Sequence, residues 1–503
     1  MLSAPRPVSG SASATGTRSD PGLAAGSSVP GSLSVPRGAA LYIGALLGPG
    51  LLLLPGLAAA QAGPASILAW LGLIGLSGLL AVVFAALGRA IGSGGVVGYT
   101  TAGLGVRAGA AAGWCFLVGV VCGAPIVCLI GATYVTDLAG GGQLMRALVA
   151  SALLLAVLGL ALGGVRATTA AQLIAVALLI AVVVVAVAGS APAARAASWT
   201  PFAPHGWPSI GRAASTLMLS FVGWEAVAPL TARLRDPARS LPRVIGIAFG
   251  TTTLLYLGLA VATIACLGRG AATDVPLAAL LQLAMGPTGR AVAAVAALIL
   301  TLGATNAYLS GATEMIGQLT AARRVTAGQA TAGQATAGQA TAGPRTASRR
   351  TAGRTAVRRA TFLLIIAATG LVLIGLYALH LVTTTALVAL PTTMFLGVYL
   401  ACTAAATRVL TGAGRLAAWP ALLAVATVLA FCGWARAAAA AIAAIAAAAA
   451  RTGRPAFRPV RRTSPTNPTS RTSRTRGARP ADPAHRPGPG PARARRSDDL
   501  GVR

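Results

Sequence analysis

Lysine is absent from this chain of 503 residues, and acidic side chains number only nine. All 40 basic residues are therefore arginine, and the formal net charge is +31. Charged residues make up 10% of the chain, against about 25% in a soluble globular domain. That shortage excludes a typical soluble enzyme, a coiled coil and a mainly disordered chain. Cysteine pairs of the CxxC kind are missing: Cys115, Cys122, Cys128, Cys266, Cys402 and Cys432 all stand within apolar stretches, where small hydrophobic packing is their ordinary role. The three histidines, His205, His380 and His485, fall in a loop, at a helix end and in the tail. No metal site and no cofactor are expected from these residues. No Cys–His pair, Ser/Lys dyad or His–carboxylate cluster sits at membrane depth, so the chain is not expected to be an enzyme. The first 36 residues hold no apolar block, so a secretory signal peptide is not expected there. Strand alternation is absent as well, which argues against a barrel.

What the sequence does have is apolar runs near the roughly 20 residues needed to cross a bilayer core of about 30 Å. They predict helices at 39–60, 67–88, 111–136, 147–164, 170–189, 212–232, 244–267, 288–315, 360–380, 384–407, 416–432 and 437–450. Helices are the expected element because backbone facing lipid must satisfy its own hydrogen bonds. The last run is almost wholly alanine and short for a full crossing. Arginine then orients the twelve: with the amino terminus inside, the inner loops hold 17 and the outer loops 6, the bias expected of cytoplasmic loops. Both termini are thus expected in the cytoplasm of a multi-pass plasma-membrane protein. The expected organisation is a disordered tail over 1–37, helices 1–8 over 38–315, a basic cytoplasmic loop over 316–359, helices 9–12 over 360–450, and an Arg/Pro-rich disordered tail over 451–503. Within the loop, Thr326-Ala-Gly-Gln-Ala recurs from Thr331 and Thr336 and then decays. A period of five fits no packed repeat, so a flexible linker is expected. Loop and tail are basic enough to lie on anionic lipid headgroups. Nucleic acid is not an expected partner, since no folded nucleic-acid module accompanies the charge.

Two segments break the helical rule. The first helix carries Gly48-Pro49-Gly50, and the sixth carries Ser220-Phe221-Val222-Gly223-Trp224-Glu225 followed by Pro229. Glycine and proline at these depths loosen a helix and remove a donor. Glu225 is one of two glutamates in the chain, and a carboxylate within a membrane segment is a functional candidate by default. Breaks in helices 1 and 6 occupy matching places in successive sets of five, the pattern of a transporter with inverted repeats and discontinuous helices. Amide groups freed at Gly48 and Gly50 are expected to receive a substrate carboxylate, and carbonyls around Phe221, Val222 and Trp224 an ammonium group. A zwitterionic amino acid fits both poles. Close helix packing at the glycines is the alternative.

The tracts Ile43-Gly44…Gly48-Pro49-Gly50, Phe221-Val222-Gly223-Trp224-Glu225 and Asp236-Pro237-Ala238-Arg239-Ser240-Leu241-Pro242-Arg243 resemble those of the amino acid–polyamine–organocation (APC) permease superfamily. Gly94-Gly95-Val96-Val97-Gly98-Tyr99 is similar to its glycine-rich segment before helix 3. The likeness covers roughly 38–450 and is greatest to the bacterial amino acid efflux group, which exports methionine and branched-chain amino acids. It implies an all-α polytopic fold of about twelve helices with a 5+5 inverted-repeat core. It further implies a secondary transporter of small neutral amino acids, with Leu47, Trp224, Val118 and Thr305 as further contacts near the midplane. Export over uptake rests on the resemblance alone; an uptake permease for amino acids or amines, and a permease-like receptor that binds without transporting, stay open. Relatives commonly carry an acid where Arg233 stands and an arginine where Glu314 stands, so a charge-exchanged pair Arg233–Glu314 is expected, with two unrelated interfacial charges as the alternative. Helix 5 lacks the lysine some relatives use in place of sodium, and Gln172 is its polar side chain. Glu225 is the candidate for proton coupling, and a permanent structural carboxylate bonded to backbone N–H groups is the alternative.

Overall fold

The computed structural model describes residues 34–48, 50–92, 94–163, 169–226, 234, 236–331 and 344–449. Both expected tails and the centre of the expected loop, 332–343, lie outside the described residues, apart from the first residues of α1. Among the described residues the elements are α-helices and short 3-10 turns, fifteen helices in all.

The first crossing is two half-helices, α1 (Val35–Leu46) and α2 (Gly50–Ala62). Pro36 sits in the first turn of α1, where its missing amide costs nothing, so helix begins two residues before the expected tail ends. α2 turns at Gly63, φ +61°, into α3 (Ser66–Ile91). α4 (Gly95–Leu104) and α5 (Val106–Ala139) follow, jointed at Gly105. Then come α6 (Gln143–Leu162), α7 (Thr169–Ser190) and the sixth crossing's first half, α8 (Pro208–Leu217). α9 (Pro237–Leu267) starts under Asp236, whose carboxylate accepts the Arg239 amide at 3.4 Å, an N-cap with proline at the next position. α10 (Pro276–Met285) is a short helix that no apolar run announced. α11 (Thr288–Thr331), α12 (Pro344–Ala378), α13 (Thr384–Val409), α14 (Gly412–Ala430) and α15 (Ala435–Ala449) complete the described helices.

Eleven of the twelve predicted segments fall on α-helix, the first as two half-helices; the sixth is α8 and two short 3-10 turns as far as Ala226, and its remainder lies outside the described residues. Nine stretches among the described residues are long and apolar enough to cross a membrane. The other three are the two broken crossings and α15, whose 15 residues rise about 22 Å, less than the bilayer core. The expected loop 316–359 is entered from both sides by helix: α11 continues to Thr331 and α12 begins at Pro344.

Packing divides the helices into two sets. α5 and α6 pack on each other and on both α11 and α12, and α13 joins this set through α5. α1, α2, α3, α8 and α9 form the other, with α1 against α9 and α2 against α8. Both broken crossings therefore belong to the same set and face the first.

Candidate functional site

The break in the first crossing begins at Leu47, whose φ −78° and ψ 71° leave the helical region. The Gly48 amide then donates back to the Leu46 carbonyl at 2.9 Å. The expectation that this amide is free for substrate is thereby corrected: the chain closes an inverse γ-turn that uses it. What Gly48 does offer is room, since a Cβ added there would meet nothing within 4 Å. Pro49 lies outside the described residues. α2 restarts at Gly50, and the positive end of its dipole, with first-turn amides lacking intrahelical acceptors, points into the break.

The sixth crossing unwinds in the same way. α8 tightens into a 3-10 turn at Met218–Phe221, Val222 is extended (φ −76°, ψ 136°), and Gly223 takes φ +137° before a second 3-10 turn, Trp224–Ala226. The two breaks cross in contact. A Cβ on Gly50 would lie 2.7 Å from Ser220 Oγ, and one on Gly223 would lie 2.6 Å from the Ala45 carbonyl oxygen. Only glycine fits both the backbone sign and the approach at Gly223. Further along, Gln61 of α2 and Thr216 of α8 hydrogen-bond at 3.0 Å, joining the half-helices beyond the breaks.

Four tyrosines serve the backbone around these breaks. The Tyr256 hydroxyl of α9 stands 2.9 Å from the Leu46 carbonyl and 2.7 Å from the Ser220 carbonyl; its single proton serves one at a time, which ties the two breaks together. Tyr42 donates to the Trp224 carbonyl at 3.3 Å, and Tyr134 of α5 to the Leu52 carbonyl at 2.6 Å. Tyr399 of α13 donates to Glu225 Oε2 at 2.7 Å and accepts the Gly223 amide at 3.0 Å. That amide also reaches Glu225 Oε2 at 3.1 Å. Glu225 thus folds back on its own break, and it takes part in none of the ion pairs among the described residues, which use Asp137, Asp236 and Asp274.

The predicted site residues separate into those brought together and those placed elsewhere. Leu47, Gly48, Gly50, Phe221, Val222, Gly223 and Glu225 meet at the crossing. Trp224 is there by backbone, but its ring is fully buried against Tyr42 at 5.6 Å and its indole N–H donates to Ser77 of α3 at 2.9 Å. Its side chain therefore anchors the break to α3, as an indole N–H buried in an apolar bundle takes the nearest hydroxyl. The Phe221 ring likewise packs, tilted, between Trp70 (5.9 Å) and Tyr256 (5.3 Å). Thr305 is buried between α11 and α5, donating to the Thr301 carbonyl at 2.7 Å with Cys128 Sγ 3.9 Å away; it is packed into the other helix set. Val118 is half-buried on α5. Arg233 lies outside the described residues, as does the side chain of Glu314 on α11, and with them the expected ion pair. The tyrosines are what sequence reasoning missed. Six of the seven in the chain fall in or beside apolar runs, and a buried phenol needs an acceptor that intact helices do not supply.

Replacing Ser77 with alanine leaves the Trp224 indole N–H buried without a partner. The expected result is a loss of about 1–3 kcal/mol of stability, read as a lowered Tm in detergent.

A multi-pass all-helical membrane protein whose first and sixth crossings are broken and interlocked has the anatomy of a permease. A family model described as amino acid permease matches residues 33–324, and the chain belongs to that family. It is 31% identical over 382 residues to an uncharacterized amino acid permease, YecA, of Bacillus subtilis, covering 75% of this chain and 85% of that one. An uncharacterized transporter of Mycobacterium tuberculosis (strain H37Rv) is 37% identical over 120 residues, 22% of this chain and 27% of the relative. Cationic amino acid transporter 9, chloroplastic, of Arabidopsis thaliana is 30% identical over 119 residues, 24% of this chain and 21% of the relative. The protein is an amino acid transporter, not an enzyme.

Proposed function

We propose that this permease moves small neutral, apolar amino acids by alternating access, as an exporter or antiporter driven by protons. The observation that carries the reading is the crossing of two unwound segments beside open space at Gly48. The α2 N-terminus suits a carboxylate there, and the carbonyls of the Phe221–Glu225 break suit an ammonium group. Neutral cargo is favoured because the one carboxylate at the crossing, Glu225, is already engaged by Tyr399 and Gly223. Within the facing set, Gly119 of α5 packs against Phe395 of α13, and Phe395 stacks on Tyr308 of α11 at 6.4 Å. Such walls suit an apolar side chain. In the inverted repeat that the resemblance implies, the α1, α2, α3, α8 and α9 set rocks against the α5, α6, α11 and α12 set. Arginine placement supports cytoplasmic termini in the plasma membrane and contact of the basic loop and tail with anionic lipids. The direction of transport rests on likeness to efflux permeases.

A second reading is a cationic amino acid or amine as cargo, favoured by the Glu225 carboxylate and by the name of the Arabidopsis relative. Proteoliposomes with an imposed proton or sodium gradient, offered labelled leucine, methionine, arginine and glutamate, separate the two. Leucine and methionine flux that follows the proton gradient is expected. Flux of arginine alone would establish the second reading, and flux that follows sodium would remove the proton.

A further inference from the structure

Two ion pairs stand at the membrane end where α2 finishes and α6 begins, and they differ in kind. Asp137, at the end of α5, holds Arg290, at the start of α11, through two hydrogen bonds of 2.9 and 3.1 Å. α5 and α11 pack on each other extensively, so this pair repeats a contact the helices already make. Arg146 in the first turn of α6 donates from the same nitrogen to Asp274 at 3.2 Å and to the Tyr377 hydroxyl of α12 at 3.0 Å. Asp274 is not on a crossing helix but in the short segment between α9 and α10.

Around Asp274 that segment is fitted onto α2. The preceding residue, Thr273, sets its backbone carbonyl against Gly56, where any Cβ would overlap it. Tyr134 of α5 holds the same half-helix, donating to the Leu52 carbonyl of α2 at 2.6 Å. α10 packs on α2, α7 and α11. Residues 272–285 therefore lie against the middle of the half-helix α2, with the Thr273 backbone on Gly56, and an ion pair secures them to α6 and α12. Arg146 is 25% exposed, and its Nε is buried without a hydrogen bond. A guanidinium desolvated and incompletely paired adds little net stability, and α6 and α12 pack without it.

We propose that residues 272–285 form a strap closing the path at this end, with Arg146–Asp274, steadied by Tyr377, as its catch. Releasing the catch lets the Thr273 carbonyl lift off Gly56 and uncovers the outer turns of α2. The strap's purpose rests on the transport reading above, but its opening is read without any flux, so the two fail separately.

The test uses the full chain carrying Leu57→Cys, next to the Gly56 notch and buried, in vesicles of both orientations. An impermeant thiol reagent is applied to each face, with the chain lacking Leu57→Cys as the blank. Asp274→Asn and Arg146→Gln are each expected to raise the initial labelling rate about tenfold from one face, within the usual range of coupling between sites. Asp137→Asn is expected to leave the rate unchanged, and Arg146→Asp with Asp274→Arg to restore slow labelling. The proposal is overturned if Asp274→Asn labels at the parent rate, or if Asp137→Asn labels as fast as Asp274→Asn. Should the single variants not reach the membrane, the charge-exchanged pair decides: slow labelling supports the catch and fast labelling overturns it.

Discussion

Gly223→Ala is expected to reduce transport by about two orders of magnitude, a barrier increase of ~2.7 kcal/mol. Two independent constraints meet at this residue. Its φ of +137° lies where an L side chain is held only at a cost of about 1–3 kcal/mol, and its Cβ position is 2.6 Å from the Ala45 carbonyl. Relief requires the sixth crossing to move off α1, which pulls the Gly223 amide from Tyr399 and Glu225 and opens the place where both breaks meet. Initial rates at matched incorporation, with a check for monodisperse protein, measure the loss. Gly48→Ala is the internal contrast, because its Cβ enters open space rather than backbone. That variant is expected to keep its Tm and to raise KM, as a methyl group placed in a substrate cavity should.

Glu225→Gln is expected to abolish proton-driven accumulation while leaving exchange of substrate for substrate. The amide oxygen of glutamine can still accept from Tyr399 and Gly223, so the break keeps its shape while losing the titrating group. For a transporter moving one proton per substrate, a pH difference of about one unit sustains about tenfold accumulation, equivalent to ~1.4 kcal/mol. The variant should only equilibrate. Accumulation at the native level in Glu225→Gln would mean that the carboxylate is a structural cap for the Gly223 amide and nothing more.

The long apolar helices were legible because a bilayer demands them, and the breaks because Gly-Pro-Gly and Phe-Val-Gly-Trp-Glu are poor helix at membrane depth. Side-chain direction was not legible. A tryptophan beside a glutamate looks like a ligand contact in sequence, yet Ser77, 147 residues away, fixes the indole on α3. The use of the Gly48 amide depended on a local γ-turn that composition does not announce. The tyrosines escaped notice for a related reason: Tyr256 and Tyr399 matter through carbonyls and amides exposed only once the breaks exist. α10 was hidden because ten residues between two crossings look like loop until they are found lying on α2.

The central claim is that the crossing of the two broken helices carries substrate through the membrane. Counterflow in proteoliposomes loaded with unlabelled leucine, with labelled leucine outside, tests it most directly. The account predicts a saturable transient overshoot of label, competed by methionine and absent in Gly223→Ala. Saturable leucine binding with no counterflow would contradict it and leave a receptor in its place.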